Sequence, residues 1–489
     1  MKVLRQDTNT WLVNNIIRLP ISVNRGLLAL NRNPDRLFGA KYARYREFLR
    51  EHYYSYDNVP SLLATVNRAI EEVDYYRDRY GRKTIGSLAE FEETFGYIGK
   101  DDILTNYNGF INRNINPADF HTGTTGGTSG KPLTFITPKR RYVVEMATMH
   151  SLWRRAGWDF AVRGVIRNHR LDNGRDFVIN PLTREVIFDG FRLTDDYFSL
   201  IYSTIRRLGI HFIHCYPSAA YEFATFMDRN GLDTSFIAAF LGGSEDIFDY
   251  QLDLIQNRMK IRFYNWYGHS EKLVLAGYCE TTNHYHVEPT YGYFELLDEN
   301  GCVVRKPGGF GEIVGTSFHN PGMPFVRYRT GDFAELVGHH CPQCGRELPV
   351  IRNIQGRWNG NRIYNEDGTF VTTTALNLHS DLYQVINGMQ YVQEGKGELT
   401  VLLVKSSSYT PDHEASLYRH FRSRLHPDTV VTIRYVDRLL RKPNGKFVHI
   451  ISSVDTEAST LAGIGKSEFR EGPSIEVTSH ERVVPPNGW

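Results

Sequence analysis

Long apolar runs are missing from this 489-residue chain. No stretch approaches the roughly 18–20 consecutive apolar residues that a membrane-spanning helix needs, so no transmembrane segment is expected. Neither sign of charge dominates. The 57 Lys and Arg residues against 55 Asp and Glu leave a net charge of +2, too little to draw the chain to nucleic acid or anionic lipid. Cysteine is scarce and odd in number, and five thiols make no disulfide framework for a chain this long. The opening stretch MKVLRQDTNTWLVNNIIRLP carries a short apolar patch broken by Asn14, Asn15 and Arg18. It lacks the continuous core of a secretory signal and is read as a helix packed on the body of the protein. A cytoplasmic location is the expectation. No internal repeat is evident.

What is present is an ordinary globular composition, 41% hydrophobic, with 29 Tyr and 28 Phe to build a large core and flat-walled pockets. The length predicts two to four domains. Residues 1–81 read as helical, with stretches such as KYARYREFLREHYYS. From Gly164 short β-rich runs alternate with helix-like ones: GVIRN, DDYFSLIYSTIRRLG, IHFIHCYP, SAAYEFATFMDRNG, FIAAFLGGSE, DIFDYQLDLIQNRM and IRFYNWYGHSE. That alternation predicts a parallel α/β sheet. Ligands of such sheets gather at the carboxyl ends of the strands. Between Tyr291 and Asp332 the pattern turns to β-hairpins, with a turn at Glu299-Asn300-Gly301. A smaller α+β module follows over 356–452, with a helix PDHEASLYRHFRSRL placing Leu417, Phe421 and Leu425 on one face. The tail 453–489 is polar and is expected to be loose. The fold class is therefore α/β. A large N-terminal domain of helices, mostly parallel sheets and a β-rich subdomain covers 82–355, with the helical region 1–81 packed on it, ahead of the small C-terminal domain.

The stretch HTGTTGGTSGKPLTF, residues 121–135, gathers glycines and hydroxyls around one lysine, a composition suited to phosphate. A P-loop requires G-x-x-x-x-G-K-[ST]; here Thr125 stands where the first Gly belongs and Pro132 follows the lysine. The kinase glycine pattern fails too, and no H-R-D or D-F-G set is found. Alone, Thr125-Gly126-Gly127-Thr128-Ser129-Gly130-Lys131 is either a polyphosphate cradle or a surface turn.

Three further stretches accompany it in order: NWYGHSE, RYRTGD and RKPNGK. The ordered set resembles the adenylate-forming superfamily, whose members join a carboxylate to AMP. Within it, VDYYRDRYG and CPQCGR resemble the phenylacetate–coenzyme A ligase and CapK-like subgroup. The resemblance runs from about Val73 to Ile451. It implies that Thr125–Lys131 hold the ATP β- and γ-phosphates and that Glu271 binds Mg²⁺. Gly243, Ser244, Glu245, Tyr267 and Gly268 would line the adenine side, with Asp332 accepting from the ribose hydroxyls and Arg357 near ribose or phosphate. The small domain would be mobile, with Lys446 its catalytic cation. The family's acidic pair after this arginine is absent; Trp358-Asn359-Gly360 stands there, and Asn359 is the hinge candidate.

Cys341-Pro342-Gln343-Cys344-Gly345 is a tight C-x-x-C turn suited to a tetrahedral ion. GYCETTNHYHVEP supplies Cys279 and either His284 or His286 as further ligands, and the resemblance favours His286. A structural zinc site is the expectation; unbound thiols and a disulfide are the alternatives.

Taken together, these residues and the resemblance imply an AMP-forming ligase acting on a small-molecule carboxylate, with ATP and Mg²⁺, and coenzyme A as acceptor. The alternative keeps the adenylation but transfers to an amine or hydroxyl, as in surface polysaccharide or natural-product biosynthesis. No acyl-carrier signature is found, and a homodimer is compatible with the sequence. Tyr216, Pro217 and Trp266, with Arg167, His169 and Arg170, are expected near the acyl group, and that basic cluster hints at a polar or acidic substrate.

Overall fold

A computed structural model describes residues 16–454, apart from 31–32, 125–132, 168, 172–173, 246, 248, 357–361, 373–375, 377, 379–381, 383–384, 438 and 441–449. The chain divides into two compact units. One comprises Met1–Gly123 with Thr134–Asn359, the other Thr124–Leu133 with Gly360–Trp489. No described helix is long and apolar enough to cross a membrane.

The first unit begins with short helices. Val59–Glu72 shows why they form: Pro60 sits in the first turn, and Leu62, Val66, Ala69 and Ile70 recur at helical spacing to make one buried face. Ala40–Glu51 packs on the longer helix Arg141–Arg154 through Tyr42, Leu49, Val143 and Ala147. Inside that contact the Tyr42 hydroxyl lies 2.6 Å from His150 Nδ1. Strands β1 (Phe120–Thr124) and β2 (Thr134–Pro138) pair on either side of the glycine-rich stretch.

The six-stranded sheet comprises β3 (Arg163–Ile166), β4 (Val178–Asn180), β5 (Glu185–Phe188), β6 (Phe212–Cys215), β7 (Ala239–Leu241) and β8 (Arg262–Tyr264). Its order is β4-β5-β3-β6-β7-β8, parallel except for β4. Helices Asp195–Leu208 and Pro217–Arg229 make the crossovers between β5, β6 and β7. Gly209, left-handed at φ 63°, ends the first of them. The stretch expected as one helix before β8 is instead a short α-helix, Asp249–Leu252, running into a π-helical turn, Asp253–Arg258. The wide turn lets Ile261 N–H reach Ile255 O at 3.0 Å and Gln256 Oε1 accept from Phe263 N–H at 3.2 Å.

The seven-stranded antiparallel sheet holds β9 (Trp266–Gly268), β10 (Leu275–Tyr278), β11 (Tyr285–Val287), β12 (Gly292–Leu297), β13 (Phe310–Ser317), β14 (Tyr328–Cys341) and β15 (Arg346–Gln355) in the order β12-β13-β14-β15-β11-β10-β9. The hairpin expected at Glu299-Asn300-Gly301 shrinks to a tight turn closed by the Leu297–Val303 bridge. The long partner of β12 is β13, because the glycine-rich 308–311 stretch opens the next extended run. A buried ion pair, Arg155 Nη2 to Glu288 Oε1 at 2.5 Å, ties the end of helix Arg141–Arg154 to this sheet.

In the second unit β16 (Arg362–Tyr364) pairs with β17 (Phe370–Thr372). A separate sheet has the order β20-β19-β18-β21, from β18 (Ile386–Gln393), β19 (Glu398–Lys405), β20 (Val430–Tyr435) and β21 (Ile450–Ser452). Helix Pro411–Arg422 connects β19 to β20 and buries Leu417 and Phe421, with Leu425 just beyond it. Those are the three residues the sequence pattern placed on its inner face.

Candidate active site

Glu271 sits in the bend after β9, where Lys272 N–H donates to His269 O and Lys272 is left-handed at φ 58°. Its carboxylate is 4% exposed. Val274 N–H donates to His269 Nε2 at 3.3 Å, so the ring proton resides on Nδ1, which faces Glu271 Oε2 at 3.2 Å. From β14 the Tyr328 hydroxyl donates to Glu271 Oε1 at 3.2 Å. The carboxylate is thus aimed by side chains from just after β9 and from β14, one on each oxygen. A hard carboxylate held this way fits Mg²⁺ chemistry.

Asp332, also on β14, is 7% exposed and takes the Tyr267 hydroxyl on Oδ2 at 2.9 Å. Its own N–H donates to Thr330 Oγ1, and Thr330 Oγ1–H to Ile313 O, which fixes the backbone beside β13. Four inter-strand steps separate β14 from β9 in the sheet order, about 19 Å if the sheet were flat. The two hydroxyl–carboxylate bonds therefore require the sheet to curl back on itself, and that curl brings Tyr267, Glu271 and Asp332 together. His269 and Tyr328, which orient Glu271, were not singled out from the sequence. Tyr328 lies within the RYRTGD stretch and His269 within NWYGHSE, but only the curl shows what they touch.

The Gly242–Glu245 loop leaves β7. A Cβ on Gly243 would lie 2.2 Å from Trp266 Nε1, so the indole of β9 closes on bare backbone. Gly268 is similarly confined, a Cβ there standing 2.9 Å from Leu275 Cδ1. Ser244 Oγ accepts from Arg167 Nη2 at 2.9 Å, and Glu245 Oε2 accepts from Ser218 N–H, at the start of helix Pro217–Arg229, at 3.2 Å. The structure thus sets Glu245 at a helix N-terminus, where a carboxylate is favoured. Of the basic cluster read from the sequence, Arg167 bonds to these groups, and His169 lies close enough for its charge to act on His214. Arg170 is exposed and stacks on Phe191. Thr125 to Lys131, Arg357, Asn359 and Lys446 lie outside the described residues.

A second cluster forms where the β14–β15 turn meets β10 and β11. One ligand atom each of Cys279, His286, Cys341 and Cys344 lies within 4.8 Å of the others. The Cys279 and Cys341 sulfurs stand 3.9 Å apart, far beyond a disulfide bond. Two thiolates at about 2.3 Å from one tetrahedral ion would be separated by a little under 4 Å. His286 is fully buried, neither ring nitrogen has a hydrogen-bond partner among the described residues, and burial pushes its pKa down to about 3. A buried imidazole kept neutral and unsatisfied is what a metal ligand requires. His284, the alternative, is not in the cluster. Of the remaining cysteines, Cys215 is buried and Cys302 exposed.

Known proteins match both parts of the chain. A model of the CapK C-terminal domain matches residues 363–453. Phenylacetate-coenzyme A ligase of Pseudomonas putida is 31% identical over 146 residues, 29% of this chain and 32% of that protein, so the match spans about a third of the ligase. Protein CapK of Staphylococcus aureus is 22% identical over 401 residues, 76% of this chain and 82% of its own. Among solved structures, 2-hydroxyisobutyryl-CoA ligase with 2-HIB-AMP and CoA in the thioesterification state superposes with a TM-score of 0.53 at 15% identity, covering 83% of this chain and 92% of that one.

Proposed function

We propose that this chain, a relative of phenylacetate–coenzyme A ligase and CapK with the fold of the adenylate-forming ligases, activates a small-molecule carboxylate as its acyl-adenylate and passes the acyl group to coenzyme A. The observation that carries the reading is the convergence of Tyr267, Glu271 and Asp332, drawn from two distant strands of one sheet.

In this reading the carboxylate attacks the α-phosphorus of ATP and pyrophosphate leaves. An anion must approach a polyanion, so oriented donors and cations have to offset the repulsion. Thr125–Lys131 would donate to the β- and γ-phosphates. Glu271, aimed by His269 and Tyr328, would hold the Mg²⁺ that neutralises phosphate charge. Asp332, being acceptor-only, would take the ribose hydroxyls, with its Oδ2 already oriented by Tyr267. The Tyr267 ring and the Gly243–Glu245 backbone would flank adenine. Arg357 would lie near ribose or phosphate, Asn359 would act as a hinge, and Lys446 would supply the charge that meets the carboxylate and α-phosphate. Cys279, His286, Cys341 and Cys344 would hold zinc in a structural role, since all four positions are filled by protein and none is left for substrate.

The test is ATP–pyrophosphate exchange over a carboxylate panel, with and without coenzyme A. Acid-dependent exchange and a thioester product are expected; exchange without thioester would move the acceptor to an amine or hydroxyl. Lys446→Ala should abolish exchange while ATP still binds. Exchange near the wild-type level in that variant would remove Lys446 from the chemistry.

A further inference from the structure

The six-stranded sheet has a reversal point. From β3 the chain adds β5 on one side and then crosses to lay β6 on the other. Crevices outside the carboxyl ends of strands at such reversals are where open α/β sheets bind ligands. Arg167 follows the end of β3, and Tyr216 follows the end of β6.

The Arg167 guanidinium is fixed from three directions. Nη1 donates to His214 Nε2 at 2.6 Å, Nη2 donates to Ser244 Oγ at 2.9 Å, and its plane lies over the Tyr216 ring at 4.5 Å. His214 can only accept, because burial and then the Arg167 charge hold its pKa well below the usual value. The main chain is pinned as well, since a Cβ on Gly190 would stand 1.4 Å from Arg167 O. Against this, Arg167 forms no salt bridge with any described carboxylate. Glu245, on the loop it contacts, faces Ser218 N–H instead. A guanidinium offers five N–H donors, and two are used by His214 and Ser244. An arginine held by His214 and Ser244, with donors remaining and no ion pair to a described carboxylate, is preorganised for an anion.

We infer that Arg167 binds a second anionic group on the acid being activated, so that the substrate is of the dicarboxylate class. The inference rests on the adenylation reading, because it is the hydrogen bond to Ser244 that joins Arg167 to the loop assigned to the adenylate. One carboxylate is consumed in forming the adenylate, and the other pairs with Arg167 in the crevice between β3 and β6.

Matched pairs decide it: aliphatic and aromatic diacids against their monoamides, assayed by ATP–pyrophosphate exchange in the wild-type protein. Diacids should be preferred by about 10- to 100-fold in kcat/KM, the range one charged hydrogen-bonded contact provides. Arg167→Gln should erase that preference with KM for ATP unchanged, and Arg167→Lys should restore part of it. Exchange only with neutral-tailed acids overturns the inference and leaves the adenylation reading intact. So does an Arg167→Gln variant that loses all acids equally, or that raises KM for ATP. Exchange with no acid at all would overturn the adenylation reading itself.

Discussion

At the residue scale, the carboxylates do unequal work. Glu271→Gln keeps the shape and one accepting oxygen but puts an NH2 donor in place of the other and removes the charge, so Mg²⁺-dependent pyrophosphate release should fall at least about 100-fold. Tyr267→Phe is milder. It removes one hydrogen bond from a hydroxyl to the Asp332 carboxylate, worth about 1.5–3 kcal/mol, so KM for ATP should rise about tenfold or more while kcat stays within about twofold, read from exchange kinetics.

His150 sets a pH dependence of a different kind. Burial, then the nearby Arg163 and Arg46 charges, hold its pKa well below the usual value, and Tyr42 faces its Nδ1. Folded protein therefore keeps it neutral where the unfolded chain, with a histidine pKa near 6.5, takes up a proton. Its contribution is present in full above that pH and is lost as the pH falls below it, at up to about 1.4 kcal/mol per unit. His319, lowered to about 3 mainly by burial, adds to the same trend. Urea unfolding at pH 7, 6 and 5 should show the decline, and His150→Phe should flatten it by about one proton.

At the scale of elements, the β14–β15 hairpin turn is the part most exposed to a change of conditions. Cys341 ends β14, Cys344 lies in the turn, and Gly345 at φ 72° lets its N–H close back on Cys341 O at 2.8 Å. Protein purified without chelator should carry about one zinc per chain. Cys344→Ser should lower both zinc content and Tm, by several degrees or more. Full occupancy in that variant would remove Cys344 from the ligand set. Much of this element was legible beforehand, because C-x-x-C is a local pattern and its turn is a local structure. The choice of His286 over His284 was not local. It follows from where β11 begins: His286 lies inside the strand, registered against Gly277 and Val350 beside the cysteines, whereas His284 precedes it. The π-helical turn at 253–258 and the true partner of β12 were hidden for a similar reason: the deciding contacts are with residues the window does not contain.

At the scale of the whole molecule, helix and strand alternation announced the parallel sheet, and hydrophobic spacing announced the helix at 411–422. The juxtaposition of Tyr267 with Asp332 could not be read this way, since 65 residues separate them and sheet curl is not written in periodicity. Each unit has its own sheet and buried apolar core, so calorimetry should resolve more than one transition; a single two-state endotherm would count against independent folding.

The curled sheet acts as a hoop. Its arc from Asp332 to Tyr267 runs through β15, β11 and β10, and the thiol–imidazole cluster is drawn from β11 and from the ends of β10 and β14 with the turn into β15. With zinc bound there as proposed, stripping it would slacken the hoop, so affinity for ATP should decay at temperatures where circular dichroism still reports an intact fold.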